Sequence, residues 1–176
     1  MIIDYNDLDR IRKKHKNKTI GIVKGSWDLF HYDHLQLLKK NKEKVDILVV
    51  EVKTDQDLKE KGKNRPIIPQ DERMEIIDSI KYVDYTLLLD EEHLTPLITN
   101  LIYKNKYDTK NQCKLKKDGY VIEKLKPDIY FYIPNIKPYE SIVDICNELN
   151  VKLLEDQNNK EFRHHTTDII EKCKKC

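Results

Sequence analysis

The chain has 176 residues, which is enough for one domain with a buried core. Its 33 basic and 31 acidic residues leave a net charge of only +2, which argues against a dedicated nucleic-acid-binding protein. No apolar run approaches the roughly 18 residues that a membrane span needs. The N-terminal stretch is too acidic for a signal peptide, so we expect a cytoplasmic protein without a membrane span.

Segments with helical spacing of apolar residues alternate with short apolar runs that are typical of strands. The continuous run 45–54 is typical of a strand in a parallel sheet covered on both faces. Residues 105–120 lack periodicity, which predicts an inserted loop. The predicted elements, in chain order, are a helix over 6–16, a strand over 19–25, a helix over 33–44, a strand over 45–54, a mobile lysine-rich loop over 55–66, a helix over 69–83, a strand over 85–90, a helix over 91–104, the inserted loop, a strand over 126–134, a helix over 139–150, a strand over 151–155 and a helix over 166–175.

This order of elements predicts an α/β fold with a doubly wound, Rossmann-like parallel sheet and helices on both faces. We expect a single domain over residues 1–176. In such folds the ligand lies beyond the carboxyl ends of the strands, near the point where the strand order reverses. The segment GSWDLFHYDH, residues 25–34, directly follows the first predicted strand and therefore occupies such a position.

Two histidines in this segment are the first candidates for function. His31 would lie on the loop and His34 in the first turn of the next helix, so that both rings can turn toward the helix N-terminus. Free backbone N–H groups and the helix dipole attract anions there, which predicts a phosphate site. The alternatives are two histidines that are partly exposed or packed in the core, or a metal-binding pair, although no third ligand lies nearby in sequence.

The chain resembles the cytidylyltransferase family of HxGH nucleotidyltransferases, whose signature is G-x-[FWY]-D-x-x-H-x-G-H. The matching residues here are Gly25, Trp27, Asp28, His31 and His34, with Asp33 where the family carries glycine. Three further stretches are similar to the family's lysine loop with its E-R helix, its R-Y-V-D segment and its segment before the last helix: KGKNRPIIPQDER, KYVD (81–84) and HHTTDII (164–170). The resemblance covers residues 18–175 apart from the inserted loop, but the family's R-T-[EQ]-G stretch has no match.

The resemblance implies transfer of CMP from CTP to a small phosphorylated alcohol, with release of pyrophosphate. It looks closest to the enzymes acting on phosphoethanolamine, phosphocholine or glycerol 3-phosphate, and heptose-phosphate adenylyltransferases share the same skeleton. Mg²⁺ would arrive with the nucleotide, no residue is assigned to a metal, and a homodimer is expected. The alternatives are an ATP-dependent adenylyltransferase acting on a sugar phosphate or FMN, and a non-catalytic domain that binds nucleotide or regulates a partner.

The resemblance also implies roles for individual residues. His31, His34 and Lys63 would be catalytic, and Arg73 would contact phosphate or support the fold. Asn135 and Tyr139 are candidates for binding the acceptor. Trp27 and the tyrosine-rich strand over 126–134 could offer a cation–π face to an ammonium head group, and core packing explains the same aromatic residues at least as well. The residues expected around the nucleotide are Gly25, Ser26, Trp27, Asp28, Lys61, Arg73, Arg163, Thr166 and Thr167.

Overall fold

The computed structural model describes residues 1–60, 62, 64–133, 137–156 and 169–170. Within them six strands form one sheet: β1 (Ile2–Ile3), β2 (Ile20–Gly25), β3 (Ile47–Lys53), β4 (Tyr85–Leu89), β5 (Ile129–Tyr132) and β6 (Lys152–Glu155). The order across the sheet is β1-β4-β3-β2-β5-β6, and every neighbouring pair is parallel. The predicted doubly wound α/β fold is confirmed.

Helices connect the strands, as parallel pairing requires. A single 3-10 turn (Tyr5–Asp7) precedes the first helix, and a π-helical turn (Leu115–Gly119) joins the sixth to the seventh. The helices are α1 (Leu8–Lys14), α2 (Tyr32–Lys42), α3 (Asp55–Lys59), α4 (Gln70–Asp78), α5 (Pro96–Asn105), α6 (Thr109–Lys114), α7 (Tyr120–Leu125) and α8 (Glu140–Glu148). None of the helices in the described ranges is long and apolar enough to cross a membrane.

The sheet separates two hydrophobic clusters because successive side chains of a strand point to opposite faces. Ile20 and Ile22 of β2 belong to the cluster that includes α1, α5, α7 and α8, whereas Val23 belongs to the cluster with α2 and α4. β3 alternates in the same way, with Val49 on the first face and Val50 on the second. Both faces are therefore buried, which explains the continuous apolar runs in the sequence.

The prediction of a loop without secondary structure over 105–120 is wrong, because most of this segment is helical. Leu115 and Ile122 are fully buried and face the core, one helical repeat of seven residues apart. Between them the buried positions are Asp118, Gly119 and Val121, so a polar residue and a glycine interrupt the apolar stripe that would have indicated a helix. Whether the segment is an insertion relative to other family members stays a prediction.

Two other elements were missed by sequence analysis. Residues 55–59 of the predicted lysine-rich loop form α3, where the hydroxyl of the N-cap Thr54 accepts a hydrogen bond from the backbone N of Asp57 at 3.1 Å. Thr is a good N-cap, but Leu58 is the one apolar residue among the five of α3, so no apolar periodicity indicates a helix. β1 has only two residues, too few for any period to be visible. The closing helix lies outside the described residues except for Ile169 and Ile170, which are helical.

Candidate active site

The turn that follows β2 has an unusual backbone conformation. Trp27 and Leu29 both have positive φ, at 55° and 49°, a region that residues other than glycine rarely occupy. Strain of this kind persists only where the surrounding structure enforces it, and it is concentrated at functional sites. The turn between β2 and α2 is therefore the first place to look for function.

Gly25 and Trp27 fit each other closely in this turn. A Cβ atom added to Gly25 would lie 2.5 Å from Cε2 of the Trp27 indole, far inside van der Waals contact. The indole is 1% exposed, and its Nε1 donates a hydrogen bond to the backbone oxygen of Glu51 at 2.9 Å. The tryptophan thus ties the turn to β3, and glycine is required beside it because any side chain would displace the ring.

The two histidines of the signature lie together, as predicted. Their imidazole centroids are 3.9 Å apart and the rings are stacked with 29° between their planes. The rings of Trp27 and Phe30 flank His34, with centroids at 5.4 and 5.6 Å. This packing fixes the orientation of His34, which lines the cavity described below.

His31 is the N-cap of α2. Its Nδ1 accepts a hydrogen bond from the backbone N of Asp33 at 3.3 Å. In a neutral imidazole the proton then lies on Nε2, which makes that atom the hydrogen-bond donor. Asp33, which stands where the family carries glycine, is buried at 5% exposure, so its carboxyl does not point into solvent.

Asp28 anchors the end of the lysine-rich loop. Its carboxylate is fully buried and accepts hydrogen bonds from the backbone N of Ile67 at 3.1 Å and of Ile68 at 2.9 Å. Nε of Arg65 lies 2.7 Å from Oδ2 of the same carboxylate. Asp28 therefore orients the site by joining two loops, and its oxygens are already surrounded by protein donors.

Of the two roles expected for Arg73, a phosphate contact or support of the fold, the structure favours the second. The side chain is fully buried, and the guanidinium group donates only to protein acceptors in the described structure. These are the backbone oxygens of Ile68 (2.9 Å), Ser26 (2.6 Å) and Lys53 (2.8 Å) and Oδ1 of Asp55 (2.7 Å). The expectation of a direct phosphate contact is corrected, because a buried guanidinium with these partners cannot reach a ligand.

A cavity of about 470 Å³ opens between the carboxyl ends of β2 and β5. These strands are neighbours, but the chain leaves β2 toward β3 on one side and reaches β5 on the other, which makes this the switch point of the sheet. The lining residues are Lys24, Gly25, Ser26, Trp27, His34, Leu37, Lys53, Arg65, Tyr130, Phe131, Tyr132, Ile133, Lys137, Pro138, Tyr139 and Ile142.

The cavity lining is cationic. Lys24, Lys53, Arg65 and Lys137 contribute to it, and the described lining residues include no aspartate or glutamate. Tyr139, predicted from sequence to bind the acceptor, is among the lining residues. Arg65 was missed, because an arginine within a polar loop gives no periodic signal. Its ion pair with buried Asp28 fixes the position of the guanidinium in the cavity lining.

Charged residues buried under the cavity were missed as well. Lys24 is ion-paired with Asp118 of the π-helical turn, whose side chain is 2% exposed. Burial lowers the pKa of Lys24, but the attraction of Asp118 outweighs it and the pKa is raised overall. Glu51 on β3 is also fully buried, and burial together with the charge of Asp118 raises its pKa well above the ordinary value for glutamate.

Several predicted site residues lie outside the described structure. For the catalytic set this concerns Lys63. For the nucleotide and acceptor sites it concerns Lys61, Arg163, Thr166, Thr167 and Asn135. Their roles stay predictions. The structure does bring together Gly25, Ser26, Trp27, His34 and Tyr139 around one cavity, with His31 stacked on His34.

The arrangement of potential metal ligands bears on the Mg²⁺ that the family resemblance implies. No cluster of three or more histidine, cysteine, aspartate or glutamate side chains in that part of the chain is arranged to hold a metal ion. Asp28, the carboxylate of the signature, already binds two backbone N–H groups and Arg65.

Comparison with known proteins agrees with this geometry. Residues 22–172 match the family model described as cytidylyltransferase-like. The bifunctional protein HldE of Nitratiruptor sp. is 31% identical over 99% of this chain, and that of Campylobacter fetus is 35% identical over 61% of it. The matched regions are 32% and 22% of those proteins, so the chain spans a third or less of their length.

Solved structures share the fold. A lipopolysaccharide core biosynthesis protein from Thermoplasma volcanium superposes with a TM-score of 0.55 and 24% identity, covering 78% of this chain and 95% of that one. A pantoate-beta-alanine ligase from Francisella tularensis superposes with a TM-score of 0.58 and 18% identity, covering 99% and 77%. With the signature turn, the stacked histidines and a family match over most of its length, the chain belongs to the cytidylyltransferase-like family of nucleotidyltransferases.

Proposed function

We propose that the protein transfers the adenylyl group of ATP to the phosphate of a sugar phosphate and releases pyrophosphate. Nucleotidyl transfer follows from the family. The choice of ATP and of a sugar phosphate was the alternative in the sequence analysis, and it replaces CTP and a phospho-alcohol as the preferred reading.

The observation that carries the choice of acceptor is the charge of the cavity. Four cationic side chains line it, and none of its described lining residues is a carboxylate. Carboxylates outside the lining pair with two of these cations, Asp118 with Lys24 and Asp28 with Arg65. The lining itself offers no carboxylate to an ammonium head group, as in phosphoethanolamine or phosphocholine, which disfavours such an acceptor. A phosphate carried on a neutral, hydroxyl-bearing body is complementary to the same lining.

The relatives support the same choice. The likeness to HldE proteins favours the heptose-phosphate adenylyltransferase branch, which shares the skeleton of the phospho-alcohol enzymes. The match with the Nitratiruptor protein runs through almost the whole of this chain. Because the chain covers only a third of that protein, the proposal extends to the nucleotidyl transfer alone.

In the proposed reaction an oxygen of the acceptor phosphate attacks the α-phosphorus of the nucleotide. The bond from the α-phosphorus to the oxygen that bridges to the β-phosphate breaks, and pyrophosphate leaves with that electron pair. No covalent enzyme intermediate is needed, so catalysis consists of positioning and charge stabilisation. Nε2 of His31 and the ring of His34 would donate to phosphate oxygens, while Arg65 would hold a phosphate from the opposite loop. Lys61, Lys63, Thr166 and Thr167 stay predicted contributors.

The test is pyrophosphate release by the full chain with ATP or CTP against a panel of esters. A heptose phosphate, mannose 1-phosphate, glycerol 3-phosphate, phosphoethanolamine, phosphocholine and FMN cover the acceptor classes. Turnover with ATP and either sugar phosphate supports the proposal, and turnover with CTP and phosphoethanolamine would overturn it. No turnover with any ester, despite measurable nucleotide binding, would favour the non-catalytic alternative. The predicted homodimer is tested separately by sedimentation.

A further inference from the structure

The base of the cavity contains a charged pair that the transfer reaction does not require. Lys24 of β2 lines the cavity, and its ammonium group is ion-paired with Asp118 of the π-helical turn. The side chains of the two residues are 14% and 2% exposed, so the pair is almost entirely removed from bulk water. Desolvating two charges is costly, and burial of such a pair by itself is weak evidence for a stabilising role.

Hydrogen-bonding capacity remains unused around this pair. An ammonium group has three N–H donors, and Asp118 is the one hydrogen-bond acceptor of Lys24 within the described ranges. Glu51 on the adjoining strand is fully buried, and neither of its carboxyl oxygens has a hydrogen-bond partner in that same part of the chain. Buried polar groups are nearly always satisfied, so a group at a cavity with donors to spare suits a ligand that accepts.

The rest of the lining indicates what kind of ligand would accept. Tyr130, Tyr132 and Tyr139 line the same cavity and provide aromatic surface. A sugar ring has C–H groups on its faces, which pack on aromatic rings, and hydroxyl oxygens at its edge, which accept from an ammonium group. An alkyl phosphate without hydroxyls would leave the donors of Lys24 unsatisfied.

We propose that Lys24, held in place by Asp118, is a specificity-determining residue that donates a hydrogen bond to a ring hydroxyl of the sugar-phosphate acceptor. This inference rests on the proposed function and deepens it by naming the residue that selects the acceptor. Asp118 acts through Lys24 and is a positioning residue. The phosphate of the acceptor is held elsewhere, by the histidines and Arg65.

Binding is measured without turnover, through the fluorescence of Trp27, which is the single tryptophan of the chain and lines the cavity. The probes are mannose 1-phosphate and methyl phosphate, which share a phosphate but differ in the ring. We expect the wild-type protein to bind mannose 1-phosphate at least tenfold more tightly. In Lys24→Met this ratio should fall about tenfold, or about 1.4 kcal/mol. The matched control is Lys137→Met, which should weaken both probes equally because Lys137 lines the cavity without the Asp118 contact.

Lys24→Met leaves Asp118 buried without its partner and can unfold the protein. The double variant Lys24→Met/Asp118→Asn removes both charges with similar side-chain volumes and should show the same fall in the ratio. An unchanged ratio in the folded variants, or a wild-type protein without preference for the sugar ester, would overturn the inference. Absence of pyrophosphate release would count against the proposed function alone, because the ratio of dissociation constants does not depend on turnover.

Discussion

The imidazole rings of His31 and His34 are stacked at 3.9 Å, which places two potential donors at one point near the N-terminus of α2. We predict that His31→Asn and His34→Ala each lower kcat by roughly 10² to 10³, in line with the loss of one positioned donor of about 3–4 kcal/mol. Asparagine is chosen at position 31 because it can still cap the helix, which separates catalysis from stability.

Pyrophosphate release by the folded variants measures this prediction. His15→Ala is the control, since His15 follows α1 and contacts Tyr85 far from the turn after β2. Its rate should stay within twofold of wild type. A change of less than about threefold in His31→Asn, under ~1 kcal/mol, would show that the ring does not stabilise the transition state.

Arg65 should bind phosphate, because it lines the cavity while Asp28 holds its Nε. Replacing Arg65 by glutamine removes a hydrogen bond to a charged group, for which about 1.5–3 kcal/mol is typical, so KM or Kd for one phosphate ligand should rise roughly tenfold to a hundredfold. Arg65→Lys keeps the charge but lacks the planar guanidinium group, so its KM or Kd should lie between the values of wild type and of Arg65→Gln. Titrating nucleotide and acceptor separately identifies the ligand affected. If wild type, Arg65→Gln and Arg65→Lys all bound each ligand with the same affinity, a phosphate-binding role of Arg65 would be excluded.

Arg73 should matter for stability rather than for ligand binding. Arg73→Met removes a fully buried cation and leaves three backbone oxygens and Asp55 without their donor, which we expect to cost about 3–5 kcal/mol in the free energy of unfolding. Urea denaturation followed by circular dichroism measures this loss. Arg10→Met is the control: Arg10 is 68% exposed, and the change should lie within about 0.5 kcal/mol. A loss below 1 kcal/mol for Arg73→Met would contradict its role in joining the loops.

Glu51 should make the stability depend on pH. Its pKa is raised in the folded protein, so folding favours the protonated form. This contribution is complete below the ordinary glutamate pKa and is lost as the pH rises through the raised value. In Glu51→Gln, which resembles the protonated acid, the loss should disappear. The difference in unfolding free energy between the variant and wild type should therefore grow by up to about 1.4 kcal/mol per pH unit above roughly pH 4.5. Parallel stability profiles from pH 4 to 8 would show that Glu51 titrates normally.

Sequence patterns revealed most of the sheet but not the charged base of the cavity. Strands β2, β3 and β4 were visible because burial on both faces produces continuous apolar runs, and β5 and β6 because of short aromatic or apolar runs. The signature pair His31 and His34 was visible because it directly follows such a run. Lys24 and Glu51 lie inside the same runs, and nothing in their spacing distinguishes a buried charge from an exposed one.

The helical segment over 105–120 was missed for the same physical reason. Asp118 occupies a core-facing position where a helix would ordinarily show an apolar residue, so periodicity failed where the charge pair was built. Conversely, the family resemblance left both a phosphate contact and a structural role open for Arg73. Only its four protein acceptors reveal that it supports the loops.

The contacts of Asp57 connect the base of the cavity with the beginning of the lysine-rich loop predicted over 55–66. Nζ of Lys117 and of Lys114 lie 3.7 and 3.9 Å from Oδ1 of Asp57, in the short helix just before Lys61. Asp28 secures the same stretch at its far end. The π-helical turn that supplies Asp118 below the pocket also supplies Lys117. A substitution in this turn that alters the proposed selection of the acceptor would therefore also alter the contact of Lys117 with α3, so that the cavity and this helix could not change independently of each other.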